Sequence, residues 1–242
     1  MRWTAIEGHV LRSVKSKNRA LTAAYTRDGV SVLRSLFSVG EVRQIRESIE
    51  RYAALVPMLP PSLVLYEPGG TAVRNFLRMD AVDTYFRELA EQRRLKDLVR
   101  SIAGFEPRVF FVDSFNKTAR KGSKVEMHQD AAYIRLKPTN WATFWIAIDR
   151  ATARNGAVRY YLGSHRWNLL PHSATGSGED RLAIVDQEDV RRQAAGVYVA
   201  ELEPGDAVLH DSFIAHESDA NTGTRGRFGL TIGYRTVDSV IL

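Results

Sequence analysis

The periodicity of the apolar residues changes once along this chain, near residue 108, and that change limits the folds open to it. Before it, Val42, Ile45, Ile49, Tyr52 and Leu55 recur at helical spacing behind a Ser38/Glu41 capping box. A second helical pattern follows Asp80 through Phe86, Leu89, Leu95, Leu98, Val99 and Ile102, and stops at Gly104; Pro60-Pro61 marks a loop between the two. Val30 to Leu36 reads as a short strand ahead of the first helix. From Arg108 onward the segments are short and strand-like: Val109–Phe115, Val125–Ile134, Trp141–Ile148, Ala157–Leu162, Val197–Leu202, Ala207–Ile214 and Phe228–Thr236. Strands that follow helices without alternating with them cannot build a parallel βαβ sheet. They predict a mainly β fold with N-terminal helices, an antiparallel barrel or jelly roll. Asn168 to Gly196 is long for a loop and reads as a partly helical lid.

The chain has no cysteine, which excludes disulfides, thiolate metal sites and cysteine nucleophiles, so any metal must be held by nitrogen and oxygen. The formal net charge is +6 and the pI about 9.6. The excess is scattered apart from Arg2, Arg12, Lys15, Lys17 and Arg19, and it reads as the surface of an ordinary enzyme rather than a nucleic-acid face. No stretch has the apolar core of a signal peptide or the length to cross a bilayer. The expectation is a cytoplasmic protein with a small-molecule substrate and neither nucleic acid nor membrane as partner; the oligomeric state is not readable.

His128-Gln129-Asp130 carries the chemistry. On a strand, alternate side chains share a face, so His128 and Asp130 can point the same way. With a second imidazole from His216, on a distant strand, they would occupy three adjacent corners of an octahedron and leave the rest open, the ligand pattern of ferrous oxygenases. Taken alone, His-x-Asp is a weak signal among six histidines and 28 acids. Arg227 strengthens it: this residue begins the strand after His216, where its planar fork could grip the far carboxylate of a 2-oxo acid.

Further motifs lie in order along the chain: Asp28-Gly29-Val30 through Leu36-Phe37-Ser38, then Val73-Arg74-Asn75-Phe76, then Met127 to Tyr133. They continue with Trp145-Ile146-Ala147-Ile148-Asp149, Asn155-Gly156-Ala157, Gly163-Ser164-His165, Gly205-Asp206-Ala207-Val208, His216, Asn221 and Arg227. In these the chain resembles the phytanoyl-CoA dioxygenase family of Fe(II)/2-oxoglutarate-dependent oxygenases. The resemblance implies one double-stranded β-helix (cupin-like jelly-roll) domain over residues 1–242, with a helical flanking part at 1–107, a jelly-roll core at 108–242 and a lid at 168–196. It implies His128, Asp130 and His216 as iron ligands and Arg227 as partner of the 2-oxoglutarate C5 carboxylate. Ser218, Trp145, Asp113 and Arg74 fall where relatives contact cosubstrate or substrate. The implied reaction consumes Fe(II)-bound 2-oxoglutarate and O2, releases succinate and CO2, and hydroxylates a small organic molecule or biosynthetic intermediate. Halogenating relatives replace the ligand carboxylate with a small residue, and Asp130 keeps that place filled.

Strand alternation offers Phe111, Phe115, Lys117 and Tyr133 to the substrate, with Trp167 at the mouth; ordinary core packing is the competing reading for each aromatic. Arg74 and Lys117 could bind an anionic substrate, or one of them could neutralise Asp113. His210, at a position apolar or aromatic in the family, reads as a packed or hydrogen-bonded core histidine, His165 as structural, and His172 and His9 as exposed. Two rival readings remain: a zinc or manganese hydrolase or isomerase on a cupin-like barrel, which would need no Arg227, and a non-catalytic binding protein.

Overall fold

A computed structural model describes residues 18–175 and 181–242. A first helix, α1 (residues 18–28), precedes β1 (Val30–Leu33), α2 (Val39–Ala53), β2 (Val64–Tyr66) and β3 (Val73–Phe76). Three short helices follow, α3 (Met79–Val82), α4 (Thr84–Glu91) and α5 (Arg93–Ala103). The strands β4 (Pro107–Lys117), β5 (Val125–His128), β6 (Leu136–Lys137), β7 (Trp141–Ala147) and β8 (Val158–Tyr161) lead to the hairpin β9 (His172–Ala174) and β10 (Leu182–Ile184). After α6 (Gln187–Gln193) come β11 (Val197–Val199), β12 (Ala207–Asp211), β13 (His216–Ser218), β14 (Arg227–Thr236) and β15 (Val240–Ile241).

The capping box forms as its sequence requires: Glu41 N–H donates to Ser38 Oγ at 3.3 Å while Glu41 Oε2 accepts from Ser38 N–H at 2.8 Å. The helical pattern after Asp80 is not one helix. Asp83 leaves the helical region and caps α4 by accepting from Tyr85 N–H at 2.8 Å, and Gln92 (ψ 126°) breaks the chain again before α5. Gly104, at φ 78°, then stops α5 in the left-handed conformation that glycine takes without a Cβ clash.

Seven strands form one antiparallel sheet in the order β1-β12-β7-β14-β4-β3-β2, and four form a second in the order β11-β8-β13-β5. Together they make a jelly roll. The segment before β4 is more than a helical flank, because β1 closes one edge of the large sheet and β2 and β3 extend the other. Alternation sorts the large sheet into two faces. Leu230, Ile232 and Tyr234 of β14, Phe144 and Ile146 of β7, and Leu209 of β12 pack with Ile45, Ile49, Tyr52, Phe86, Leu95 and Val99 of the helices. The Tyr234 hydroxyl pins this layer by donating to Ala90 O at 2.5 Å.

The opposite face of the same strands carries Arg227, Gly229 and Thr231 on β14, Thr143 and Trp145 on β7, and Val208 and His210 on β12. It meets the small sheet, where Val158 and Tyr160, with the flanking Ala200, Leu202 and Ile214, pack against Val30, Trp145, Ala147 and Val208. That inner space, open at one end, holds the site. The 168–196 segment forms the β9–β10 hairpin and α6 and packs through Ile184, Val190 and Leu170, beside Trp167, on Met127, Tyr161 and Ala215. Its residues 176–180 lie outside the described residues, as do His9 and all of the N-terminal basic cluster except Arg19. No helix of the described residues is long and apolar enough to cross a membrane.

Candidate active site

The central strand β13 brings the site together. His216 is paired with His128 of β5 on one side and Tyr160 of β8 on the other, and the two imidazole centroids lie 4.2 Å apart. β5 ends at His128, so Asp130 does not share its strand face as alternation would have it. Asp130 opens a 3₁₀ turn, Asp130–Ala132, whose Ala131 N–H donates to Ser212 O at 3.0 Å, and the turn swings the carboxylate back toward the imidazoles. The result is the expected convergence by a different backbone path. Asp130 Oδ1 stands 3.6 Å from both His128 Nε2 and His216 Nε2, and the three donor atoms all lie within 4.8 Å of one another.

These atoms suit a cation. His128 Nδ1 sits 2.7 Å from Glu126 O and His216 Nδ1 2.9 Å from Ile214 O, so each Nδ1 carries the proton and each Nε2 offers a lone pair inward. Burial, with the neighbouring His128, lowers His216 to about 3, which keeps it a neutral ligand. Burial alone would raise the Asp130 carboxyl, yet contacts with His128 and His210 hold it well below the ordinary range. Two imidazole Nε2 lone pairs and a carboxylate oxygen form the donor set that a divalent metal needs. Donors about 2.1 Å from one ion in adjacent octahedral corners would be about 3 Å apart, so a small contraction of the triangle accommodates the ion.

A cavity of about 420 Å³ opens in front of the triangle. Arg227 lines it, 3% exposed, with Nε and Nη1 buried and without partners, and its guanidinium lies 4.9 Å over the Trp145 ring. Burial pulls Arg227 down to about 10. Apart from the Trp145 ring, Nε and Nη1 meet no hydrogen-bond acceptor among the described residues, the state expected of a group that waits for an anion. Ser218 and Trp145 line the same cavity, as do Arg74, Asp113, Phe111, Phe115 and Tyr133. Asp113 accepts from Arg78 N–H at 2.7 Å and is raised to about 7, chiefly by burial.

Two sequence-based substrate candidates behave otherwise. Trp167 does not line the cavity; it closes the 3₁₀ turn Ser164–Trp167 and packs with Met127, Ile184 and Val190. Lys117 lines the wall, but its ammonium donates to Ser123 O at 2.6 Å and Asp219 O at 2.7 Å, tying two loops together. Burial, Arg227 and Arg74 lower it to about 7, so it serves as a strap rather than an anchor for anions. His172 is half-buried rather than exposed, with Nε2 accepting from Gln129 N–H at 3.1 Å. His165 is structural as expected: Nε2 meets Thr26 O at 3.2 Å beneath Gly29. Sequence reading did not single out Thr143 or Tyr160, whereas His210 is the hydrogen-bonded core histidine it expected, though with Asp130 as its unforeseen partner. The alternation of β7 with Trp145, and of β12 with Val208, would have placed Thr143 and His210 on the inner face.

Fold and donor set together define a jelly-roll protein with a two-histidine, one-carboxylate centre. The sequence profile of the family "Phytanoyl-CoA dioxygenase (PhyH)" matches residues 25–229, and the chain belongs to that family. The "Phytanoyl-CoA dioxygenase domain-containing protein 1 homolog" of Dictyostelium discoideum is 25% identical over 163 residues, 65% of this chain and 57% of the relative. The chain thus spans little more than half that relative's length. The ectoine dioxygenase of Sphingopyxis alaskensis is 24% identical over 230 residues, 90% of this chain and 75% of the relative. Among solved structures, EctD from S. alaskensis with bound Fe superposes with a TM-score of 0.77 at 22% identity, covering 91% of this chain and 77% of that one. The epimerase SnoN in complex with Fe3+, alpha ketoglutarate and nogalamycin RO gives 0.76 at 20% identity, covering 94% and 86%. At these identities the superpositions speak for the fold.

Proposed function

We propose that the protein is an Fe(II)- and 2-oxoglutarate-dependent oxygenase that hydroxylates a small organic molecule. One observation carries this reading: the His128–Asp130–His216 triangle shares its cavity with a buried guanidinium that has no protein partner on Nε or Nη1. A hydrolytic zinc or manganese site gives no reason to bury such a cation, whose desolvation costs several kcal/mol. A 2-oxo acid does, because its distal carboxylate would satisfy the fork.

Iron(II) with 2-oxoglutarate and O2 supplies an oxidant able to take hydrogen from an unactivated carbon, with succinate and CO2 as co-products. The protein's part is placement. His128 and His216, each fixed in one tautomer by a backbone carbonyl, and Asp130 would hold the ion on one side and leave the cavity side open. Arg227, stacked on Trp145, would set the direction of the cosubstrate, with Ser218, two residues beyond His216 on β13, lining the same cavity. Phe110, Phe111, Ile134 and Trp141 line the outer cavity and would exclude water from the reacting carbon. That lining favours a substrate with substantial apolar surface, presenting a polar group to Asp113. The activities named for relatives, ectoine dioxygenase, methylphosphonate hydroxylase and probable phytanoyl-CoA dioxygenase among them, span several substrate classes.

The test is anaerobic addition of Fe(II) and 2-oxoglutarate, read by the visible charge-transfer band of the chelate. The band should form in the wild type and fail in Arg227→Ala, and His128→Ala or Asp130→Ala should abolish substrate-driven succinate release. A wild type without the band, or full turnover in either ligand variant, would refute the assignment.

A further inference from the structure

Asp130 has two oxygens, and the protein treats them differently. Oδ1 faces the two imidazole lone pairs at 3.6 Å. Oδ2 faces away, toward His210 Nε2 at 3.2 Å and Thr143 Oγ1 at 3.4 Å. A deprotonated carboxylate only accepts, so His210 carries a proton on Nε2, and in the neutral ring Nδ1 is then an acceptor. Nδ1 has its donor: the Tyr160 hydroxyl stands 3.2 Å away. Thr143 is ordered in the same sense, because Trp141 Nε1–H donates to Thr143 Oγ1 at 3.0 Å and so turns the hydroxyl proton toward Asp130. Two short relays therefore converge on one oxygen, Tyr160→His210→Oδ2 and Trp141→Thr143→Oδ2. The members are buried: His210 is 3% exposed, Thr143 2%, Tyr160 0% and Trp141 4%. His210 is thus a core histidine with both ring nitrogens engaged, in a place where an apolar side chain would pack without leaving polar atoms to satisfy.

We propose that His210, held in its Nε2–H tautomer by Tyr160, is a positioning residue that locks Asp130 as a one-oxygen metal ligand. A carboxylate free to rotate can chelate through both oxygens and occupy a coordination position that a 2-oxo acid and O2 need. With Oδ2 held by His210 and Thr143, only Oδ1 is available, and the open face stays open. The proposal rests on the reading of His128, Asp130 and His216 as metal ligands, and it adds a second layer of residues that fixes the geometry of the third ligand.

The test compares wild type with His210→Phe, His210→Gln and Tyr160→Phe. The readouts are Co(II) affinity by calorimetry without cosubstrate, and the visible ligand-field spectrum of the Co(II) form. Glutamine can present an amide N–H near the place of Nε2; phenylalanine packs but cannot donate. His210→Phe should bind Co(II) about 10–100-fold more weakly, with a ligand-field band altered by the changed carboxylate denticity. His210→Gln should recover most of the affinity and the wild-type band. Tyr160→Phe should fall between them, since it releases the tautomer without removing the ring. Wild-type affinity and spectrum in His210→Phe would overturn the proposal, as would equal losses in the phenylalanine and glutamine variants. If His210→Phe fails to fold, Tyr160→Phe decides: an unchanged affinity and spectrum there count against the relay. Co(II) binding without a 2-oxoglutarate band in the wild type would sink the oxygenase reading and leave the His210 comparison intact; no Co(II) binding at all would sink both.

Discussion

Replacing Arg227 with methionine should push stability and cosubstrate binding in opposite directions. The guanidinium is 3% exposed and lacks partners on Nε and Nη1, and burial lowers it from 12.5 to about 10. At about 1.36 kcal/mol per tenfold, holding that charge in the apo protein costs about 3 kcal/mol. Methionine keeps the apolar stem but forfeits the stacking on Trp145 (4.9 Å), a loss of about 1–2 kcal/mol. Apo Arg227→Met should therefore be more stable than wild type by about 1–2 kcal/mol, or roughly 2–8 °C in a domain of this size. With Mn(II) and 2-oxoglutarate the order reverses. A ligand at a hundred times its dissociation constant adds about 2.7 kcal/mol to the wild type. The variant loses two charge-assisted hydrogen bonds of about 1.5–3 kcal/mol each, so its affinity should fall a hundredfold or more. Thermal unfolding with and without the two ligands, under nitrogen, reads both effects in one experiment. A variant less stable than wild type in the apo form would refute the idea that Arg227 is a buried charge held at a net cost until an anion binds. Equal ligand-induced shifts in the two proteins would refute its role in binding the 2-oxo acid.

Two further outcomes follow from the cavity wall. Asp113 is raised from 3.8 to about 7, first by burial and then by the charges of Asp80 and Asp130, against the Arg78 N–H. Between about pH 4 and 7 the folded state therefore holds a proton that the unfolded chain has released, and stability falls as pH rises through that window, by up to about 4 kcal/mol. Asp113→Asn should lose this slope and be the more stable protein at pH 8 by urea titration; parallel pH profiles for the two proteins would refute the burial argument. In Gly229→Ala the new Cβ would lie 2.7 Å from Trp145 Cζ2 and 3.0 Å from Cε2, forcing the ring that stacks with Arg227 to shift. 2-Oxoglutarate affinity should drop at least about tenfold, the scale of a 1–3 kcal/mol overpacking strain, while Co(II) affinity holds. Parallel loss of both, or of neither, would show that the ring does not border the cosubstrate.

The features legible in the sequence were those set by neighbours in the chain. Ser38 and Glu41 announce a helix start because both partners of the capping box lie within one turn, and Gly104 announces a stop because few other residues tolerate its backbone. Side-chain alternation likewise placed Phe111, Asp113 and Phe115 on the cavity face of β4, since a strand leaves no choice of side once one residue is assigned. What alternation cannot supply is what stands opposite. Lys117 points the way the pattern demands, but the carbonyls of Ser123 and Asp219 come from two loops to meet its ammonium, and no local signal specifies that meeting. Asp130 shows the limit from the other side. The spacing from His128 suggested a shared strand face, whereas the strand stops and a 3₁₀ turn brings the carboxylate back. That turn is held by Ser212, eighty-odd residues away, which also places His210 two positions before it on the far side of Asp130. The same long-range contact that hid the ligand's backbone path from the sequence is what delivers a second histidine to its outer oxygen. His210 and the turn at Asp130 therefore have to be judged as one device: a change that loosens the Ala131–Ser212 hydrogen bond should disturb the carboxylate's orientation even with every ligand in place.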